Sequence, residues 1–202
     1  MSLKLLTVSD IHGSKRSINR INASIHNYQP DAVVVCGDIT HFGDMSEAVE
    51  ILKHIDINEI IGIIGNCDPL EVKDSFEYVG ANYIDVDNYD LNGYVFAGLS
   101  GSNHSTSKLA EFKEVASYAD IFVLHSPPYG YLDKTSRGQH IGERGLLEII
   151  SNTDPKLILS GHAHESRGVI EEQDTVYLNP GPAYEDKLGI VSLGETVKAK
   201  II

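Results

Sequence analysis

Apolar positions in the first half of this chain fall into short continuous runs, separated by stretches with helical spacing. Leu3–Val8 is a run that fits a buried strand, and residues 14–28 follow with Ile18, Ile21 and Ile25 on one helical stripe. Residues 31–36 supply a continuous VVVC strand, residues 46–55 place Ala48, Val49, Leu52 and Ile55 at helical spacing, and residues 60–64 form a third buried run. Strand and helix in alternation predict a largely parallel sheet for this half.

Beyond Asp68-Pro69 the pattern changes. Residues 83–89 and 94–99 flank Asn92-Gly93, the dipeptide most suited to a tight hairpin turn. Residues 108–119 read as a helix, 121–124 as a strand, 145–150 as part of a helix and 156–159 as a strand. The tail, residues 168–202, alternates strand-like runs with turns and is expected to complete a second sheet by antiparallel pairing. No internal repeat, low-complexity tract or linker divides the chain, so residues 1–202 are expected to form one domain.

Hydrophobic residues at 42% and charged residues at 22% are ordinary for a soluble globular protein and give no reason to expect disorder. A formal net charge of −13 opposes extended contact with a nucleic-acid backbone, which needs Lys and Arg to neutralise phosphates. It does not exclude a small anionic substrate, because bound divalent cations reverse the local field. Cys36 and Cys67 offer no disulfide framework. No signal peptide and no apolar run of membrane-spanning length is visible, so the expectation is a soluble cytoplasmic protein with no membrane partner. Oligomeric state is left open, a homo-oligomer included.

The chemistry sits where the apolar runs stop. Five of them, TVSDIHG, VVVCGD, IIGNCD, FVLHS and LILSGHAH, end in metal-ligand types: Asp10, His12, Asp38, Asn66, His125, His162 and His164. These are oxygen and nitrogen donors with no thiolate among them. They suit Mn, Fe, Zn, Ni or Mg at a hydrolytic centre better than a Cys-rich structural zinc. If the runs share a sheet, their carboxyl ends converge at one edge, where open α/β sheets place their sites. Taken singly, Asp10, Asp38 or Asn66 is more simply a turn or helix cap, and His-x-His occurs on ordinary strands. Seven such residues at five strand ends favour the metal site.

The order of the motifs, D-x-H, G-D, G-N-x-D, H and G-H-x-H, resembles the calcineurin-like metallophosphoesterase superfamily, from Asp10 to His164. Within it, HSPPYGYLD, GQHIGERGLLEII, GHAHESRG and LNPG are similar to the small phosphodiesterase-like branch. The resemblance implies an α/β fold, a four-layer αββα sandwich of two mixed β-sheets flanked by helices. It also implies a phosphoric ester hydrolase with two divalent metal ions, manganese first among those above. Asp10, His12, Asp38 and His164 resemble the first metal's ligands, and Asp38, Asn66, His125 and His162 the second's, with Asp38 bridging. A hydroxide held by both metals would attack phosphorus in line, on a small phosphate ester. No phosphate-binding Gly-rich loop or Ser-His-Asp pattern competes with this reading.

One departure stands out. Much of the superfamily carries His where G-N-C-D has Cys67, and a thiol is a poorer proton donor for a basic leaving group. Activated or cyclic diesters are therefore expected to be better substrates than monoesters. Cys67 is equally readable as a small residue with no chemistry. His41 and His140 are candidates to reach a phosphate in its place, each also compatible with a surface loop. His26, His54 and His104 read as surface residues. Arg137 and Arg144 read as solvated or helix-surface groups rather than phosphate ligands, Ser126-Pro127-Pro128 as a turn fixing His125, and Asn179 as support near the metal edge. The competing functions are a phosphomonoesterase or nucleotide pyrophosphatase on the same centre, or a non-catalytic scaffold like the retromer subunit of this fold.

Overall fold

The structure, a computed structural model, describes residues 2–202. Strands β1 (Leu3–Val8), β2 (Ala32–Cys36), β3 (Ile60–Ile63) and β4 (Asn82–Tyr83) run parallel in that order. The antiparallel pair β11 (Gly189–Leu193) and β12 (Val197–Ile201) extends the sheet on the far side of β1. A second sheet of six strands has the order β5 (Asn88–Leu91), β6 (Tyr94–Leu99), β7 (Ile121–Leu124), β8 (Leu157–Leu159), β10 (Thr175–Asn179), β9 (Gly168–Glu172). Its central strands β6, β7, β8 and β10 are parallel. Both sheets are mixed, as the family resemblance implies.

Period-two geometry explains the packing. In β2, Val34 and Cys36 face the second sheet, meeting Ile121, Val123 and Leu159, whereas Val33 and Val35 face helices. Those helices are α1 (Lys15–Tyr28), which buries Ile18 and Ile21, and α2 (Met45–Leu52), which buries Ala48, Ile51 and Leu52. On the other outer face, α4 (Thr106–Ala116) and α5 (Gly145–Thr153) cover Phe122, Leu124 and Ile158 with Phe112, Leu146 and Ile149. The result is four layers, helix, sheet, sheet and helix. Each fully buried Val, Leu or Ile contributes roughly 1.5–3 kcal/mol relative to exposure.

Local chemistry sets the helix ends. Ser14, Asp44 and Ser105 each accept a backbone N–H in the first turn of α1, α2 and α4. Gln29 and Asp154, both left-handed and both followed by proline, stop α1 and α5.

Three expectations need correction. Residues 83–89 are not one strand: Tyr83 ends β4 in the first sheet, and the chain crosses to the second sheet before β5 begins at Asn88. The Asn92-Gly93 turn is where it was expected, with both residues at positive φ. The tail divides between the sheets, β9 and β10 joining the second and β11 and β12 the first. A short helix, α3 (Asp74–Val79), buries Phe76 in the stretch read only as a change of pattern. Among the described residues, no helix is long and apolar enough to cross a membrane.

Candidate metal centre

Strands β1, β2, β3, β7 and β8 deliver Asp10 and His12, Asp38, Asn66, His125, and His162 and His164 just beyond their carboxyl ends. The first two loops are zipped together past the strands: Asp10 N–H donates to Gly37 O (3.0 Å), His12 N–H to Asp38 O (3.0 Å) and Gly13 N–H to Ile39 O (2.9 Å). The site has an uncommon backbone. Asp10, His12, Asp38 and His162 all have left-handed φ, at 54°, 49°, 52° and 63°. Each such conformation costs an L-residue roughly 1–2 kcal/mol, and clusters of them mark functional sites.

The side chains meet in one place. Asp10 Oδ1 lies 3.1 Å from His164 Nε2 and 3.8 Å from His12 Nε2. Asp38 Oδ2 lies 3.8 Å from His12 Nε2 and 3.5 Å from His125 Nε2. Asn66 Oδ1 is 2.9 Å from His125 Nε2, and the His162 ring stands 5.1 Å from that of His125. Two groups of donors are close enough to share an ion, Asp10 with His12 and His164, and Asp10 with Asp38 and His125. Asp10 and Asp38 are 1% and 2% exposed, and among the described residues no lysine or arginine forms an ion pair with either. Two buried carboxylates that face imidazoles and each other, with no cationic Lys or Arg between them, fit a site for divalent cations.

Supporting contacts fix the donors. His125 Nδ1 lies 2.8 Å from Cys36 O, which turns Nε2 toward Asp38. The Cys67 N–H donates to Asp38 Oδ1 (2.8 Å). Gly65 is required by close approach, because a Cβ there would lie 2.0 Å from Asp38 Oδ1. Asn179 is fully buried and donates to Ala163 O (2.9 Å), inside the loop that carries His162 and His164. It is a support of that loop, as the LNPG segment suggests.

Electrostatics divide the histidines. Burial opposes the charged form of Asp10, but the hydrogen bond with His164 and the nearby His125 outweigh it and hold the carboxyl below its ordinary value. The same bond with Asp10 raises His164 against the effect of burial. Burial, and then His125, push His162 down to about 4. Burial, and then the Asp38 carboxylate, push the Cys67 thiol up to about 12.

The structure brings the seven metal-ligand candidates into one cluster and adds two of the three further ones. His41, His12 and Cys67 place donor atoms within 4.8 Å of one another. His140 joins none of these groups. Its Nδ1 lies 2.7 Å from Asp133 Oδ1, a carboxylate 1% exposed, and its ring tilts against Tyr129. His104 corrects the surface expectation, for its side chain is 3% exposed and lies beside Glu143. His26 and His54 are exposed, and so is Arg137, whereas the Arg144 guanidinium sits 3.5 Å above the Tyr129 ring rather than pairing with Glu143 or Glu148. Sequence reasoning missed three contributors. Asp68 accepts hydrogen bonds from both the Asp38 and Asn66 loops, Tyr184 hydroxyl lies 3.1 Å from His164 Nδ1, and Asp133 anchors His140. Asp68 and Asp133 had a signal, as the last letters of G-N-C-D and HSPPYGYLD, and Tyr184 had none.

Residues 3–166 match the model of the calcineurin-like phosphoesterases, and the chain belongs to that family. It is 29% identical to an uncharacterised protein of Methanocaldococcus jannaschii, over 96% of each chain. Its fold is similar to that of a crystal structure from Thermus thermophilus, with a TM-score of 0.74, 14% identity and 99% of each chain covered. An archaeal phosphodiesterase shares the fold at a TM-score of 0.56 and 16% identity, covering 99% of this chain and 100% of that one.

Proposed function

We propose that this protein is a dinuclear metal-dependent phosphodiesterase acting on small phosphate esters with good leaving groups. The observation that carries the reading is the position of Asp38: one carboxylate oxygen lies between imidazoles delivered by the two different sheets, His12 and His125. Asp10, His12, Asp38 and His164 would hold one cation, and Asp38, Asn66, His125 and His162 the other, manganese being the first to try. When bound, the cations supply an ionised water near neutral pH and neutralise charge on the phosphoryl oxygens.

The chain's own residues do the rest. Tyr184 orients the His164 ring through Nδ1 and Cys36 O orients that of His125 through Nδ1, which leaves each Nε2 for a cation. His41, exposed beside His12, would contact a phosphoryl oxygen. Cys67 offers a thiol, a poorer proton donor than an imidazolium, so a leaving group that departs without protonation is favoured.

Metal-stripped protein supplied with Mn²⁺ is expected to hydrolyse bis-p-nitrophenyl phosphate, and to prefer it to p-nitrophenyl phosphate. Initial rates with and without metal test this. Turnover that ignores the metal counts against the reading, and a clear monoester preference replaces diesterase by monoesterase.

Cation binding is also expected to release protons. A ligand histidine must be neutral, so His164, raised above its ordinary value, gives up a proton, while His162 at about 4 is already free of one at neutral pH. Calorimetry of Mn²⁺ binding in buffers of different ionisation enthalpy should show more release at pH 6 than at pH 9, with affinity rising between them. Equal release at both values would contradict the assignment of His164.

A further inference from the structure

The chain has five phenylalanines, and four of them, Phe76, Phe96, Phe112 and Phe122, are 0% exposed. The fifth, Phe42, is 68% exposed and has φ at 59°, a left-handed backbone that a bulky side chain rarely adopts. It is held there by its own N–H, which donates to Cys67 O (3.0 Å), in the G-N-C-D loop. An exposed ring and a strained backbone coincide in one residue.

Position gives the coincidence a use. The Phe42 ring packs edge-on against His41 at 5.1 Å between centroids, and His41 packs in the same way against His12 at 5.3 Å. The Tyr184 ring also packs against His12, at 5.5 Å, and is 37% exposed. Ring contacts therefore link Tyr184 through His12, a proposed metal ligand, and His41 to Phe42, which is open to solvent.

We propose that Phe42 is a specificity-determining residue: its free face stacks on a planar aromatic or heteroaromatic arm of the phosphate ester whose phosphoryl group is held at the metal centre. The proposal rests on the phosphoesterase reading and names the class of substrate that site takes. An aliphatic arm would meet the same ring with less contact, because stacking on an aromatic face rewards a flat, polarisable partner. The ring is exposed on a left-handed backbone, and the cost of that conformation to stability is what the substrate contact explains.

Binding rather than turnover gives the clean test. Phenylphosphonate and methylphosphonate carry the same anionic head and differ in the ring, so their affinities for the Mn²⁺-loaded protein are compared by calorimetry. The unsubstituted protein is expected to bind phenylphosphonate about tenfold more tightly. Phe42→Ala and Phe42→Gly should erase that preference, and Phe42→Trp should keep it. Phe42→Gly should also raise the Tm of the metal-free protein by about 2 °C, since glycine adopts this backbone without strain. A ring preference that survives Phe42→Ala, or equal affinities in the unsubstituted protein, overturns the proposal while leaving the phosphoesterase reading intact. A lower Tm for Phe42→Gly overturns the claim that the conformation serves the substrate rather than the fold. If neither phosphonate binds, the phosphoesterase reading falls with it.

Discussion

Replacing Asp38 with asparagine is expected to lower Mn²⁺-dependent hydrolysis of bis-p-nitrophenyl phosphate by about a thousandfold or more, equivalent to about 4 kcal/mol. The substitution keeps the shape of the side chain and an oxygen that can still accept the Cys67 N–H. What it removes is the negative charge and the second oxygen, and a neutral amide cannot bridge two cations as a carboxylate does. The metal content of the purified protein should fall at the same time. Unfolding would give the same loss of rate, so melting is the control. Asp10 and Asp38 are both buried, and the metal-free protein holds them close without a lysine or arginine partner. Removing one of two like charges relieves that repulsion, so the Tm of the metal-free variant should hold or rise. A variant within tenfold of the unsubstituted rate, with both metals retained, would remove Asp38 from the bridging role.

The parallel core was legible because β2 and β3 are buried on both faces and read as unbroken apolar runs, which few other elements imitate. The Asn92-Gly93 turn was legible because its backbone needs residues that tolerate positive φ. Residues 83–89 misled because β4 is two residues long and the alternation continues past it, so periodicity cannot mark the change of sheet. The tail misled for a related reason: β11 takes its place beside β1 through a register that no local feature of either strand encodes. In the site, the ligand candidates were readable because their types and spacing reflect coordination chemistry. Tyr184 and the buried His104 were not, since each lies beside a residue distant in sequence, His164 and Glu143. His140 shows the limit from the other direction, for its loop follows His125 and yet its ring is committed to Asp133.

Asp68→Ala is expected to be the most destabilising single change around the site. The Asp68 carboxylate is 8% exposed and accepts four hydrogen bonds: Ile39 N–H at 3.1 Å, Thr40 N–H at 2.8 Å, Thr40 Oγ1 at 2.9 Å and Gly65 N–H at 2.9 Å. Three of these donors are backbone groups that have no other way to be satisfied once the carboxylate is gone. An unsatisfied buried donor costs about 1–3 kcal/mol, so the total is on the order of 3–5 kcal/mol after relaxation. For a chain of this size that corresponds to a Tm lower by about 10 °C. Asp68→Asn is instructive beside it. Each carboxylate oxygen serves two of the four donors, and an amide keeps one oxygen but turns its NH₂ toward the other pair. A loss between zero and that of alanine is therefore expected, read by thermal melting of the metal-free protein. The functional consequence follows from where the donors lie, since Ile39 and Thr40 continue the loop of Asp38 and Gly65 precedes Asn66. Releasing both loops frees Asp38 and Asn66 together, so Mn²⁺ affinity should fall even where the protein is still folded. A Tm change of less than about 2 °C in Asp68→Ala would mean that water satisfies these donors, and that the two loops are held by the backbone zipper instead.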